Sequence, residues 1–264
     1  MTANISRRTF LAGTATSAAA VAALGLAGCG AGSSGAVGSE VYGSSKGIVI
    51  AAVADNAPFT FSEDSQLKGL EVELASAAFE IAEVECQIQA MTADEVTDAL
   101  ADGTAVAALG AIDDESEDYD YSSVYYDSYV CAAGVAGSKV LSLKAAKNKQ
   151  VACVEGGLAA DWAETLVDEY GYTINYFATS EEAVADCTDG DSVLCIDSFP
   201  NIAYGIQQGS GLIIVATNAG EYTTSYGLRT LTGENSDVIE DFNSGIAELR
   251  ESGEYDEIVN KYLS

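Results

Sequence analysis

The chain has no histidine among its 264 residues. Histidine is the commonest acid/base side chain near neutral pH and the commonest metal ligand. Its absence excludes His-based triads, hydrolase dyads and His-rich metal centres. Positive charge is nearly as scarce: 11 Lys and Arg stand against 41 Asp and Glu, a formal net charge of −30, and no arginine occurs between Arg8 and Arg229. A polyanion binder needs cations to displace counterions from phosphate, so nucleic acid is excluded as a partner. The cysteines show no CxxC pair and no metal-ligand spacing, so no metal or cofactor is expected. What the chain does have is apolar substance. Hydrophobic residues make up 48%, too many for a disordered acidic tail, and the length suits one large domain or two smaller ones around a sizeable core.

The first residues read as an export segment. Ser6-Arg7-Arg8-Thr9-Phe10-Leu11 leads into an apolar, Ala-rich run that ends in Leu26-Ala27-Gly28-Cys29. A charged start, an apolar middle and small residues at the end are the parts of a signal peptide. The paired arginines are similar to a twin-arginine signal, and Leu-Ala-Gly-Cys to a lipobox, in which Cys29 becomes the lipidated first residue. The expected division is a signal peptide at 1–28 and a flexible Gly/Ser/Ala tether at 29–46, which would hold the domain on the outer face of the cell membrane. An uncleaved membrane anchor is the alternative, since the run approaches the roughly 20 residues that span a bilayer. Cleavage would remove Arg7 and Arg8 and no acid, leaving 9 basic and 41 acidic residues. The cysteines that follow, Cys86, Cys131, Cys153, Cys187 and Cys195, sit among apolar neighbours and read as buried small hydrophobes, with a structural disulfide as the alternative.

Strand and helix patterns alternate twice. Ile48 to Val53 is a β-branched run broken by Pro58. Leu70 to Glu83 is helical, with Val72, Ala75, Phe79 and Ala82 on one face and Glu71, Glu73, Glu80 and Glu83 read as solvated. Cys86 to Ala90, Thr92 to Leu100 and Val106 to Ile112 continue as strand, helix and strand. After the long extended stretch Tyr125 to Ala136 the alternation restarts: strands at Val151 to Val154, Ile174 to Phe177 and Val193 to Ile196, with helices at Ala159 to Tyr170 and, capped by Ser180, Ser180 to Cys187. A helix opened by Asn235 or Ser236 and an amphipathic turn with Tyr255, Ile258 and Tyr262 close the chain. This alternation predicts an α/β fold with largely parallel sheets in two lobes.

Several segments now fall in one order: Ala54 to Leu74 with Pro58-Phe59 and Leu67-Lys68-Gly69-Leu70-Glu71-Val72-Glu73-Leu74, then Tyr121-Ser122 with Tyr125-Tyr126, Gln150 to Gly157, Asp191 to Asp197, Tyr226-Gly227-Leu228, and Glu248 to Tyr262. In this order and spacing the chain resembles the family 3 solute-binding proteins, extracellular receptors that deliver polar amino acids to ABC importers. The resemblance covers nearly all of residues 47–264. It implies a two-lobed, periplasmic-binding-protein-like α/β fold in which each lobe is a mostly parallel sheet flanked by helices. Two hinge crossovers join the lobes, lobe 1 being 47–131 plus 221–264 and lobe 2 being 136–216. It also implies a receptor and not an enzyme, with a small amine or amino-acid ligand in the cleft, an ABC permease as partner, and no catalytic residues.

The resemblance assigns Asp197, at the end of its strand, to the ligand's amino group, with a loop-capping carboxylate as the alternative. Gly156, Gly157 and Leu158 open a helix whose backbone N–H groups would hold a ligand carboxylate, unless they form a plain turn. Phe59 would stack on the ligand or else pack internally. One departure bears on specificity. The family keeps an arginine for the ligand's carboxylate where this chain reads Asp113-Asp114-Glu115-Ser116-Glu117-Asp118. Either this run is a solvated loop and backbone amides or Arg229 hold the carboxylate, or the ligand is cationic or carboxylate-free and Asp113 and Glu115 help to bind it. A sensor and a cyclohexadienyl dehydratase-like enzyme are the competing functions. The dehydratase has little here to bind its multiply anionic substrates.

Overall fold

The computed structural model describes residues 41–44, 47–113 and 115–264; the export segment, Cys29, Lys46 and Asp114 lie outside them. The chain begins with β1 (Val41–Gly43), β2 (Ile48–Val53) and a hairpin of β3 (Phe61–Glu63) and β4 (Gln66–Lys68). It continues through α1 (Leu70–Ile81), β5 (Cys86–Met91), α2 (Ala93–Ala101), β6 (Ala107–Ala111) and β7 (Tyr119–Tyr121). The strand β8 (Tyr126–Val135) crosses into a second alternation of β9 (Gln150–Val154), α3 (Gly157–Tyr170), β10 (Thr173–Phe177), α4 (Ser180–Asp189), β11 (Leu194–Ser198) and α5 (Phe199–Gln207). The 20-residue β12 (Leu212–Leu231) returns, and α6 (Ser236–Ser252) and α7 (Glu254–Leu263) finish the first lobe.

Ten strands form one sheet in the order β1-β5-β2-β6-β12-β8-β11-β9-β10, with β7 pairing β12 off this path. β2 pairs in parallel with β5 and β6, and β9 in parallel with β10 and β11; each set is the parallel heart of one lobe. Strands buried on both faces are expected to be apolar throughout, and Ile50, Ala51 and Ala52 of β2, like Val151, Ala152 and Cys153 of β9, are fully buried. The antiparallel pair β8 and β12 joins the two sets, and its register shifts between Ile214 and Ala216 and between Asn218 and Thr223. Such irregularities leave residues unpaired and bend a ladder, so the sheet changes direction where the lobes meet. Around it, α1, α6 and α7 pack on one lobe through Phe79, Phe242 and Tyr262, while Trp162 and Ile202 serve the other. A Cβ built on Gly245 would stand 2.1 Å from the Ala78 carbonyl oxygen, so α6 approaches α1 there as only glycine allows.

The structure corrects three readings of the sequence and adds a helix. Glu71 is 2% exposed, not solvated: it lies in the first turn of α1, and its carboxylate accepts from Tyr125 Oη and Thr60 Oγ1. Residues 41–43, within the stretch read as tether, form β1 against β5. The cap of α4 is Thr179, whose hydroxyl accepts from the Glu182 N–H. The helix α5 lacked a prediction, although Ser198 caps it and Pro200 sits in its first turn, where a missing N–H costs nothing. The five cysteines of the described residues are free thiols, four of them buried. Among the described residues no helix is long and apolar enough to cross a membrane.

Candidate functional site

Asp197 sits next to the end of β11 and pairs with Cys131 of the crossover β8, so the second lobe's strand that borders the crossover delivers it to the junction of the lobes. It is 4% exposed. Its Oδ1 accepts from the Ser198 N–H at 2.6 Å and from Asn201 Nδ2 at 3.1 Å, and the same Nδ2 donates to Ser180 Oγ at 2.7 Å. Its Oδ2 is buried with no hydrogen-bond partner. Burial pushes the carboxyl above its ordinary range, while its polar neighbours Ser180, Ser198 and Asn201 pull it back. An unpartnered carboxylate oxygen out of water is costly until a donor, best a cationic one, reaches it.

Asn201, which holds Asp197, and Ser180 open onto a cavity of about 700 Å³ whose lining does not include Asp197 itself. One wall is the loop after β2, Asp55 to Ala57; the other comes from Val154, Ala178 to Glu181, Asn201 and Tyr204. The cavity therefore takes its walls from both lobes. Backbone bonds across the loop, Asn56 N–H to the Thr60 carbonyl and Thr60 N–H back to that of Asn56, fix the first wall. The second is braced against the first lobe by the Phe61 and Tyr204 rings, 5.5 Å apart, and by Gln207 Nε2 donating to the Lys261 carbonyl at 2.8 Å. Two lining side chains are acidic, Asp55 and Glu181, and none is Lys or Arg.

The structure places the expected site residues unevenly. Phe59 is a correction: it is 2% exposed and stacks on Tyr226 with ring centroids 4.4 Å apart, so it packs in the first lobe's core and offers no face to a ligand. The cause is local, because the Pro58 and Phe59 carbonyls accept the N–H groups of Leu70 and Glu71, which seats α1 on that segment and turns the ring inward. Asp113 and Glu115 are exposed on the loop after β6, where Asp113 Oδ1 accepts from the Glu115 N–H, and neither lines the cavity. Arg229 pairs with Ala108, three residues back from Ala111 at the end of β6, and lies 5.1 Å over the Tyr119 ring, away from the cavity lining. Gly156 and Gly157 have φ of 78° and 70° and are exposed, and Leu158 is half-buried against the second lobe's core. The helix they open has no side-chain cap and no acid in its first turn, which leaves its N–H groups receptive to a negative atom, but these residues stand outside the cavity lining.

Sequence reasoning missed Ser180, Asn201, Tyr204, Asp55 and Glu181. The signal for Asn201 was present: it lies four residues after Asp197, across the helix start marked by Ser198 and Pro200.

Two α/β lobes on one continuous sheet, a cavity walled by both, and an orphan carboxylate near it are the features of a receptor for a small solute. The chain belongs to the bacterial extracellular solute-binding proteins, family 3, which it matches over residues 48–264. It is similar to the arginine-binding extracellular protein ArtP of Bacillus subtilis, 24% identical over 240 residues that cover 87% of this chain and 92% of that protein. The L-arginine-binding protein of Pseudomonas aeruginosa is 24% identical over 84% of this chain and 90% of its own length. Among solved structures, substrate-binding domain 2 of Lactococcus lactis GlnP, in an open conformation, matches with a TM-score of 0.74 and 28% identity, over 82% of this chain and 94% of that one. This kinship makes the chain a solute-binding protein of the amino-acid ABC-transporter kind, not an enzyme.

Proposed function

We propose that the chain is a lipid-tethered receptor that captures a small amine-bearing solute of cationic character, an amino acid or a relative of one, between its lobes and presents it to an ABC permease. The observation that carries this reading is the buried, unpartnered Oδ2 of Asp197 at the junction of the lobes. A ligand ammonium or guanidinium would complete its coordination and offset its desolvation. The acids of the cavity wall and the arginine-binding relatives support a positive ligand. In this reading 1–28 is the export signal, Cys29 carries the lipid, and 47–131 with 221–264 closes on 136–216 about β8 and β12. Ligand bound only when the lobes meet shifts the protein toward the closed form by its differential affinity for the two states.

Thermal-shift screening of the purified protein against arginine, lysine, histidine, glutamine, glutamate and simple diamines tests the reading. A ligand at 100 times its Kd stabilises by about 2.7 kcal/mol, a clear shift. Stabilisation by cationic compounds is expected, and stabilisation by glutamate or glutamine alone would overturn it.

A further inference from the structure

The charges around the cavity are one-sided beyond what an amino acid needs. Asp55 and Glu181 line it, and Asp197, itself outside the lining, accepts from Asn201, which lines it and also donates to the lining Ser180. No lysine or arginine of the described residues joins them, and half of those cations are engaged elsewhere: Lys68 pairs with Glu63 at 2.7 Å, Lys261 pairs with Glu73, Arg250 donates to the carbonyls of Val124 and Tyr125, and Arg229 lies over Tyr119. Lys139, Lys144, Lys147 and Lys149 all lie between β8 and β9, outside the lining.

The helix starts at the cavity are partly taken by the protein's own groups. At α4 the Ala178 N–H donates to Glu182 Oε2 at 3.2 Å and the Glu182 N–H to Thr179 Oγ1 at 3.3 Å. At α5 the Ser198 N–H is taken by Asp197 itself, the Asn201 N–H by Ser198 Oγ, and Pro200 has none. The uncapped start of α3 is receptive to a negative atom but lies outside the lining. A carboxylate entering this cavity meets like charge and no lysine or arginine to answer it, whereas positive ends meet the Asp55 and Glu181 side chains.

Resting on the cationic reading above, we infer that the preferred ligand is a small organic dication that carries no carboxylate, an α,ω-diamine or an amino-guanidine. Pairs of compounds that differ only by the carboxylate test it. The full-length chain in detergent is titrated calorimetrically with agmatine against arginine and with putrescine against ornithine. The amine is expected to bind at least tenfold more tightly than its parent amino acid, and Glu181→Gln or Asp55→Asn to shrink that preference at least fivefold. Equal or tighter binding of the amino acids overturns this inference and leaves the cationic reading intact. A preference that survives both variants overturns its assignment to these acids, and binding of none of the four overturns the inference together with the reading beneath it.

Discussion

Replacing Glu71 by glutamine removes the charge of a carboxylate that the fold has taken almost wholly out of water. Glu71 is 2% exposed, and burial pushes its carboxyl from 4.5 up to about 7, against hydrogen bonds from Tyr125 and Thr60 and the charge of Arg229, which pull it down. The folded state therefore holds the proton more tightly than the unfolded chain. Stability from this group is complete below pH 4.5 and is lost as pH rises through about 7. That interval is worth about 3 kcal/mol, at 1.36 kcal/mol per decade of proton affinity. Glutamine keeps an acceptor for the Tyr125 hydroxyl and cannot ionise. Urea denaturation of wild type and Glu71→Gln across pH 4.5 to 8 subtracts the contribution of every other acid. The variant's stability relative to wild type is expected to rise by about 3 kcal/mol over that range. A difference that does not change with pH would refute the argument that Glu71 is ionised at a cost in the fold.

Three further outcomes follow from packing and capping. Gly245→Ala forces a methyl group to within 2.1 Å of the Ala78 carbonyl oxygen, so α6 must move off α1, and denaturant unfolding is expected to show a loss of about 2 kcal/mol or more. Phe59→Ala empties the stack against Tyr226 and is expected to cost about 3–5 kcal/mol in the same assay, without the selective loss of binding that a ligand-stacking ring would give. Thr92→Ala breaks the capping box of α2, in which Thr92 Oγ1 accepts from the Glu95 N–H and Glu95 Oε2 accepts from that of Thr92, at an expected cost of about 1 kcal/mol in thermal or urea unfolding.

The alternation of strands and helices was legible because it rests on local periodicity. The apolar stripe of α1, the β-branched run of β2 and the Thr92 start of α2 all appear as their patterns predict. Burial of charge was not, because nothing local in Leu70-Glu71-Val72-Glu73 tells Glu71 from Glu73; the difference comes from Tyr125, which lies 54 residues away and donates to Glu71 across the lobe. Phe59 illustrates the same limit, since an aromatic at a loop start packs inward or outward according to how α1 docks on its backbone. In the candidate site, the strand-end position of Asp197 was readable, but its unpartnered oxygen is a property of three elements meeting, β11, α4 and α5. The acids of 113–118 drew attention by their density in sequence. The cavity draws its negative charge from Asp55 and Glu181, which no long run of charge announces.

The account depends most on Asp197. Calorimetric titration of the strongest ligand from the cationic panel into wild type and Asp197→Asn, with circular dichroism to verify that both are folded, tests it directly. The amide keeps the acceptor for Ser198 and Asn201 and removes the charge that a cation would meet. Loss of the charged partner of a desolvated pair costs about 2–5 kcal/mol, so affinity should fall by at least thirtyfold while the fold persists. Binding within threefold of wild type in the folded variant would contradict the claim that this carboxylate anchors the ligand.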